Sequence, residues 1–293
     1  VHGGQGFGML ELGIALEEFG RELAGGPFFA SACLASFAIQ NCANQDECAD
    51  LLPGLAAGDV IATLGVDAGL AVNGDRLSGR LPWCIDPANA SLLLIGTGDA
   101  LYAVDAGEAS VEAAEAVDLT RKYGHIVLDG ARGRRLGLGR DVATGLQKTI
   151  RQAVVALSAE QVGAAARCLD EALAYVKERL QFGRPVGGFQ AVKHRAADAY
   201  AALELARSAS YWAWWVVAND SDDLAEAAPV VKSLCCDAFR TAAHENIHLH
   251  GGYGFTWEHD AHLYYRRASA NEILLGSAVE HRAELAAVLG LTS

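Results

Sequence analysis

The amino-acid sequence predicts an α+β fold whose helices and strands are segregated along the chain. Apolar residues recur at helical spacing up to about residue 58 and again from about residue 143, and short strand-like runs lie between them. The last part joins long helical patterns by short Gly/Pro loops, which is typical of an antiparallel bundle. We therefore predict an N-terminal helical domain over 1–58, a small middle β domain over 59–142 and a C-terminal four-helix bundle over 143–293.

The first domain begins with a helical pattern over residues 9–25, whose apolar face would consist of Leu12, Leu16, Phe19 and Leu23. Two shorter helices are expected over 28–43 and 45–56. The chain starts with a Gly-rich stretch rather than Met, reads like the middle of a loop and has no signal-peptide character. We therefore expect further sequence to precede this domain, which makes the domain truncated.

The middle domain is predicted from runs of strand-forming residues at 60–66, 71–77, 91–96 and 100–104. Asn73-Gly74 and Asp129-Gly130 are turn signals. Together these features favour antiparallel β structure.

The bundle is predicted from long apolar periodicities. One or two helices are expected over 144–180, a long helix over 189–218, a third over 229–250 and a last helical stretch over 270–290. Pro229 would lie near the first turn of the third helix, where proline is tolerated.

Composition excludes several classes of function. The chain has 293 residues and a net charge of −13, which argues against nucleic-acid binding because phosphate binding requires a basic surface. No apolar stretch is long enough to span a membrane. The seven cysteines include no CxxC pair and are expected to be buried thiols of a cytoplasmic protein. The histidines show no HExxH pattern, so no metal site is predicted.

Two segments at the ends of helical patterns carry the chemistry. They are Arg179-Leu180-Gln181-Phe182-Gly183-Arg184-Pro185-Val186 and Ile247-His248-Leu249-His250-Gly251-Gly252-Tyr253-Gly254-Phe255-Thr256. Each places residues that expose the backbone beside a cationic or polar side chain, which suits the pyrophosphate of a dinucleotide. A local alternative exists for the first segment: Arg179 offsets the helix dipole, and the residues after it end the helix.

In their order and spacing, the two segments resemble the "RxxFG" and "QxxGG" motifs of the acyl-CoA dehydrogenase family. Gly3-Gly4-Gln5-Gly6-Phe7-Gly8 and Leu16-Glu17-Glu18-Phe19-Gly20 are similar to that family's "GGLG…EELG" pattern. The resemblance implies the three-part fold, an FAD cofactor, oxidation of the α,β bond of an acyl-CoA substrate and an electron acceptor flavoprotein. It also implies that the bundle of one subunit reaches the FAD of its neighbour through Arg179, Gln181, Phe182, His248, Gly251, Gly252 and Ser277, with His248 replacing the usual Gln.

The same resemblance reveals a missing catalytic base. The family's "YEGT" sequence corresponds to Leu274-Leu275-Gly276-Ser277, so Leu275 occupies the position of the carboxylate that removes the α-proton. The position used by a second subgroup corresponds to Ala153, beside Val154. Alkyl side chains cannot accept a proton. Glu272 keeps the Glu of the family's "TEI" triplet, which is not the base, and Glu280 and Glu284 are expected to be solvated surface charges.

The flavin-ring side is also depleted relative to the family. The "TEPxAGSD" loop corresponds to Leu64-Gly65-Val66-Asp67-Ala68-Gly69-Leu70, which lacks the Glu-Pro pair and the Ser. Trp83 is expected to keep the aromatic position of a later strand. The losses cluster at the base and the ring, whereas the pyrophosphate contacts are retained.

This asymmetry predicts a base-lacking subunit that completes the FAD site of a catalytic dehydrogenase subunit in a hetero-oligomer. Two alternatives remain open: a self-sufficient homo-oligomeric dehydrogenase with an unconventional base, and a flavin-free acyl-CoA-binding scaffold.

The sequence also gives expectations for three further sets of residues. Tyr211, Trp214 and Trp215 are predicted to lie near one helix face, in the core or at a subunit interface. Trp257-Glu258-His259-Asp260 is predicted to be a structural loop. Arg266 and Arg267 are expected to bind a partner or a phosphate.

Overall fold

The structure is a computed structural model that describes residues 2–67 and 69–291. Its contacts divide the chain into two compact units, and neither is continuous in sequence. The first contains residues 2–7, 25–116 and 121–153, and the second contains residues 8–24, 117–120 and 154–291. The division into three domains at residues 58 and 142 stays a prediction. The predicted α+β class is confirmed, with helices, then strands, then long helices along the chain.

The first unit joins short helices to one mixed sheet. Its helical part consists of a π-helical segment (Phe29–Ala35), α2 (Ser36–Cys42), α3 (Gln45–Ala57) and the start of α4 (Val142–Glu178). Its strands are β1 (Ala62–Val66), β2 (Ala71–Asn73), β3 (Arg76–Ile85), β4 (Leu92–Gly96), β5 (Leu101–Asp105), β6 (Ala109–Ala114) and β7 (Tyr123–Leu136). The spatial order is β1-β4-β5-β7-β3-β2, and β6 also pairs with β7.

The expectation of purely antiparallel β structure is wrong at one pair. β1 and β4 run parallel, with Thr63 opposite Leu93. The β2–β3 hairpin and the turn after it lie between these strands in the sequence, which gives the chain the long return path that parallel pairing requires. The buried face of the sheet is apolar and includes Leu77, Leu93, Ile95, Tyr102, Val104 and Ile126.

Asp129-Gly130 does not form a turn between strands; it lies inside the long strand β7. Pairing with β3 shifts register here, because Ala131 lies opposite Leu77 whereas Leu128 lies opposite Gly79. Gly130 has φ +64°. The pair is therefore a β-bulge, and the local turn signal is overridden by pairing on both sides.

The second unit is helical. It contains α1 (Met9–Arg21), the rest of α4, a small hairpin of β8 (Leu180–Gln181) and β9 (Arg184–Pro185), α5 (Gln190–Ala218), α6 (Leu224–His250), α7 (Ala261–Ile273) and α8 (Ala278–Val288). The stretch 144–180 is one helix rather than two, up to Glu178. The last stretch, expected as one, is two helices separated at residues 274–277. Residues 153–166 of α4 are buried on every side, as in the centre of a bundle.

Two glycines let α1 and α4 approach at backbone distance. A Cβ added to Gly20 would lie 1.9 Å from the carbonyl oxygen of Glu160, and one added to Gly163 would lie 1.8 Å from that of Glu17. The "EELG"-like pattern therefore has a packing cause in this chain, since neither position has room for a side chain.

Among the described residues, no helix is both long and apolar enough to cross a bilayer.

Candidate functional site

The first candidate segment is a small hairpin that follows α4. The helix ends at Glu178, and Phe182 and Gly183 form the two-residue loop between β8 and β9. Both have positive φ, +53° and +76°, as in the type I′ turns that connect two-stranded ribbons. Phenylalanine is unfavourable in this conformation. Burial of the side chain does not compensate for that cost, because Phe182 is 90% exposed. The hairpin thus displays an apolar side chain to the surroundings of the unit.

Arg179 lies at the base of this hairpin. Its backbone is fixed, because its N–H donates to the Tyr175 carbonyl (2.9 Å) and its own carbonyl accepts from the Val186 N–H (2.8 Å). Its side chain is exposed, and no carboxylate of the described residues lies within ion-pairing distance of it. The guanidinium is therefore a cation that extends from a fixed backbone and is available to an external anion.

The second candidate segment begins where α6 ends at His250. Gly251 has φ +63° and ψ −142°, a conformation essentially restricted to glycine. A Cβ added to Gly251 or Gly252 would meet no atom within 4 Å. His248 is exposed one turn earlier, and its ring stacks on that of His244 at 6.2 Å. The backbone at this turn is therefore open to a ligand.

The ends of α4 and α6 meet through their side chains. The rings of Tyr175 and His250 have centroids 4.4 Å apart. Tyr175 lies one turn before Arg179, and His250 directly precedes Gly251, so the structure brings the two candidate segments to the same end of the second unit.

A partly buried ion pair lies at this end. Arg195 of α5 donates two hydrogen bonds of 2.8 Å to the Glu245 carboxylate on α6. Burial raises the pKa of Glu245, but the hydrogen bonds and charge of Arg195, with the nearby His248 and His244, outweigh it and hold that pKa below its ordinary value. Glu245 is therefore committed to Arg195 as an acceptor and is no candidate base.

The positions of the expected bases carry no proton acceptor. Ala153 and Val154 are fully buried in α4. Leu275 lies between α7 and α8 with φ +59°. The buried Lys232 ammonium donates to the Leu274 carbonyl (2.6 Å), and the carbonyl of Leu275 lies 2.9 Å from the His281 ring nitrogen. The loop is thus held in place by these contacts, although the side chain of Leu275 is inert in acid–base chemistry.

Ser277 has a local role in the structure. Its hydroxyl accepts a hydrogen bond from the Glu280 N–H (3.2 Å), and the Glu280 carboxylate accepts from the Ser277 N–H (2.7 Å). This is a capping box at the start of α8. The expectation for Glu280 holds only in part, since it is exposed but bonded. Glu284 lies 3.5 Å from the His281 ring nitrogen. The contact of Ser277 with a cofactor stays a prediction.

Arg267 corrects the expectation of a partner- or phosphate-binding side chain. It is 1% exposed and forms ion pairs with Asp118 (2.6 Å) and Glu160 (2.5 Å). It also donates to the Thr120 hydroxyl. Arg266 donates to the Val117 carbonyl (3.3 Å) and its guanidinium lies 5.1 Å from the Trp257 ring centroid. Both arginines therefore hold the unit together. The signal that sequence reasoning missed is that Arg267 shares a helix face with buried Tyr264 and Asn271.

The aromatic group of α5 does not share one environment. Trp214 is buried, and its ring fills the space in front of Gly13, where an added Cβ would lie 2.6 Å away. Tyr211 donates its hydroxyl to Glu17 (3.0 Å), and Trp215 is half-exposed. The core position is therefore confirmed for Trp214, and the interface position of the exposed Tyr211 and Trp215 stays a prediction.

In the first unit, the loop that matches the flavin-ring motif follows β1. Asp67 accepts a hydrogen bond from the Gly69 N–H (2.7 Å), which closes a short turn, and Ala68 lies outside the described residues. Trp83 is exposed with φ +56°, and its ring centroid lies 5.3 Å from that of His125.

None of the seven cysteines, all of which lie within the described residues, forms a disulfide, and burial raises the pKa of Cys42 and of Cys84 to about 11. They are therefore thiols rather than nucleophilic thiolates near neutral pH. Within residues 2–67 and 69–291, no group of three or more His, Cys, Asp or Glu side chains is placed to hold a metal ion.

Comparison with known proteins identifies the family. Residues 143–290 match the family model described as "Acyl-CoA dehydrogenase, C-terminal domain". The acyl-CoA dehydrogenase IpdE2 of Mycobacterium tuberculosis is 34% identical over 95% of this chain and 77% of its own length. This chain belongs to the acyl-CoA dehydrogenase family. Members of this family are FAD-dependent oxidoreductases that act on CH–CH bonds.

Solved acyl-CoA dehydrogenase structures share the fold. The ChsE4-ChsE5 complex from Mycobacterium tuberculosis matches with a TM-score of 0.88 and 30% identity, over 100% of this chain and 83% of the matched chain. A variant of the Tcur3481-Tcur3483 steroid ACAD matches with a TM-score of 0.87 and 30% identity, over 99% of this chain and 83% of the matched chain.

Proposed function

We propose that this chain is a base-lacking subunit of a hetero-oligomeric acyl-CoA dehydrogenase, in which it completes the FAD site of a catalytic partner subunit. The observation that carries the proposal is an asymmetry. The Arg179 hairpin and the Gly251-Gly252 turn face outward with unused binding capacity, whereas alkyl side chains occupy both positions of the base.

The residues of the second unit fit the pyrophosphate side of FAD. The guanidinium of Arg179 supplies a cation with no internal carboxylate partner among the described residues, and the turn supplies backbone with open space before it. Gln181, Phe182 and His248 are exposed beside them. FAD supplies the hydride acceptor when bound, and these residues bind and orient its phosphate end.

The catalytic step requires a proton acceptor that this chain does not offer at either position. A carboxylate must take the α-proton of the thioester while the β-hydrogen leaves as hydride. We therefore assign the base to the partner subunit, together with binding of the acyl-CoA substrate at the reacting bond. Electrons then pass to an electron acceptor flavoprotein, as the family resemblance implies.

Two of the solved relatives support a mixed oligomer, because each is named for two components, ChsE4-ChsE5 and Tcur3481-Tcur3483. The second is described as a steroid ACAD. A steroid-derived acyl-CoA is therefore our proposed substrate class for the complex.

Substitution of Arg179 tests the proposal directly. Arg179→Ala in the complex should weaken FAD retention by about tenfold or more, because a charge-assisted hydrogen bond to phosphate is lost. FAD retention is measured by flavin fluorescence released during dilution of the complex.

Arg184→Ala is the matched control. It removes the same charge from the same exposed hairpin, but the Arg184 guanidinium already lies over the Phe189 ring at 4.0 Å. We expect FAD retention to stay unchanged. Equal losses in both variants would mean that only the general charge of the hairpin matters, and no loss in Arg179→Ala would refute the assigned contact.

A further inference from the structure

Four rings in successive tilted or edge-on contact, which we name the ring stack, connect the two candidate segments. The centroid of Tyr175 lies 4.4 Å from that of His250, His250 lies 4.2 Å from His259, and His259 lies 5.0 Å from Tyr253. Tyr175 belongs to α4, His250 ends α6, and Tyr253 and His259 belong to the loop that follows. The stack therefore begins at Tyr175, one helical turn before Arg179, and reaches His250 and Tyr253, which flank Gly251-Gly252.

We propose that this stack positions the Gly251-Gly252 turn relative to the Arg179 hairpin, and that protonation of His259 releases the turn. Tyr175, His250, His259 and Tyr253 are thus positioning residues for the flavin-pyrophosphate contacts. The consequence for FAD rests on the proposed function, whereas the release of the turn does not.

The hydrogen bonds of the two histidines define where a proton can be added. The Nδ1 of His250 lies 2.7 Å from the Asn246 carbonyl, so this nitrogen carries the proton and donates it. The Nδ1 of His259 accepts from the Ala261 N–H (3.0 Å), so this nitrogen carries no proton in the neutral ring. A second proton on His259 must bind Nδ1. It would break the bond that caps the first turn of α7.

The charges around His259 favour the neutral ring on balance. Burial and the neighbouring His250 and His262 disfavour a cation, whereas Glu171 and Asp260 favour one. Glu171 is itself bonded to Arg167 (2.7 Å), which reduces its effect. The net result is a pKa of His259 below its ordinary value of 6.5. Because the stacked state takes the proton less readily than the open state, its stability is full above that value and falls as the pH drops below it.

The effect on the turn is readable in its own backbone. The N–H groups of Gly254, Phe255 and Thr256 donate to carbonyls within residues 251–253, at 3.1 to 3.3 Å. Opening of the turn exposes these amides to solvent, so hydrogen–deuterium exchange of the peptide over 251–256 reports the state of the stack without any flavin.

Tyr175 tests coupling from a different helix. In the full chain, Tyr175→Ala should accelerate exchange over 251–256 by about threefold to tenfold, the range expected for loss of one aromatic contact. Tyr175→Phe keeps the ring and should exchange like the wild type. If Tyr175→Ala leaves exchange over 251–256 unchanged, the stack does not position the turn and the proposal fails.

Two substitutions of His259 distinguish the effect of the ring contact from the effect of protonation. Exchange is compared at about pH 7.5 and about pH 5.5, on either side of the ordinary histidine pKa and after correction for intrinsic rates. The wild type should lose protection over 251–256 at the lower pH. His259→Phe keeps a ring that cannot be protonated and should show no pH effect. His259→Asn keeps an acceptor for the Ala261 N–H without a ring and should exchange rapidly at both pH values.

Acid-induced opening that persists in His259→Phe would overturn the role of His259. FAD retention of the complex is then measured over the same pH range in a His248→Gln background, which removes the second histidine that the proposal places beside the phosphates. Opening of the turn without loss of FAD would refute the proposed function and leave the positioning role intact. Failure of the wild-type turn to open at the lower pH would refute release by protonation of His259 and leave the proposed function intact.

Discussion

Gly252 and Gly254 lie two positions apart and are glycines for different reasons. A Cβ on Gly254 would lie 2.8 Å from the Ile247 carbonyl oxygen, so the fold itself excludes a side chain. Gly252 has φ −55° and ψ −33°, ordinary for any residue, and open space before it. Within the described residues nothing requires glycine at 252, and the open space agrees with the proposed close approach of phosphate.

Alanine substitutions separate these two causes. Gly254→Ala should lower the melting temperature of the chain, because a backbone contact must shift. Gly252→Ala should leave the melting temperature unchanged and weaken FAD retention of the complex. Thermal unfolding and flavin release measure the two effects. A stable Gly252→Ala variant with undiminished FAD retention would contradict a close phosphate approach at this turn.

Substitution of Leu275 tests whether this position lacks a catalytic base. Leu275→Ala should leave turnover of the complex unchanged within about twofold, because an alkyl side chain contributes no proton transfer. Steady-state dye reduction with acyl-CoA measures it. Abolished turnover in a stably folded complex would mean that the reacting bond lies against this loop.

Arg267 is the residue whose loss should cost the most stability. Replacing it by Leu removes the buried cation that pairs with both Asp118 and Glu160, and we expect a loss of about 3–5 kcal/mol in the free energy of unfolding. Arg266→Ala, a neighbouring change on the partly exposed face, should cost about 1 kcal/mol or less. Denaturant unfolding of both variants measures these losses. Similar small losses in the free energy of unfolding for the two variants would contradict a stabilising role of the buried Arg267 network.

At the scale of elements, the crossing of α1 and α4 sets the packing of the second unit. Gly20→Ala and Gly163→Ala should each destabilise the chain by more than about 2 kcal/mol, since the new methyl group would meet a carbonyl rather than a movable side chain. Gly188→Ala, which would meet only Arg184 at 3.7 Å, is the control. Chemical denaturation that ranks all three equally would refute this close approach.

Helix periodicity predicted the elements well because it is a local property. The pattern over 9–25 became α1, and the pattern over 189–218 became α5 within one residue at its start. Sheet pairing was predicted less well, because the parallel β1–β4 pair and the bulge at Gly130 depend on strands distant in sequence. A local signal such as Asp-Gly cannot anticipate that both of its flanks will pair with β3.

The candidate site divides along the same line. The hairpin at Phe182-Gly183 and the turn at Gly251-Gly252 follow from local sequence, and their exposure agrees with the expectation. The Arg267 network and the ring stack involve residues separated by dozens of positions, so no local pattern announces them. The capping role of Ser277 also follows from local sequence, since Glu280 lies three residues after it, whereas its contact with a cofactor stays a prediction.

At the scale of the whole molecule, the second unit exposes large apolar side chains around both candidate segments. Phe182, Phe255 and Trp257 are all mostly exposed. Side chains of this type are enriched at protein interfaces. We expect FAD to raise the melting temperature of the complex and not that of the isolated chain, because a ligand stabilises only the state that binds it. Scanning fluorimetry with added FAD measures this, and an equal rise for the isolated chain would contradict it.

We propose that this chain binds the phosphate end of FAD but depends on another subunit for the base. The most direct measurement compares the chain purified alone with the chain purified together with a dehydrogenase subunit that carries a glutamate at the base position. Bound flavin and dye reduction with acyl-CoA are determined for both. We predict one FAD per pair of different subunits with full activity, and a colourless, inactive chain alone. A yellow chain that reduces dye by itself would contradict the account.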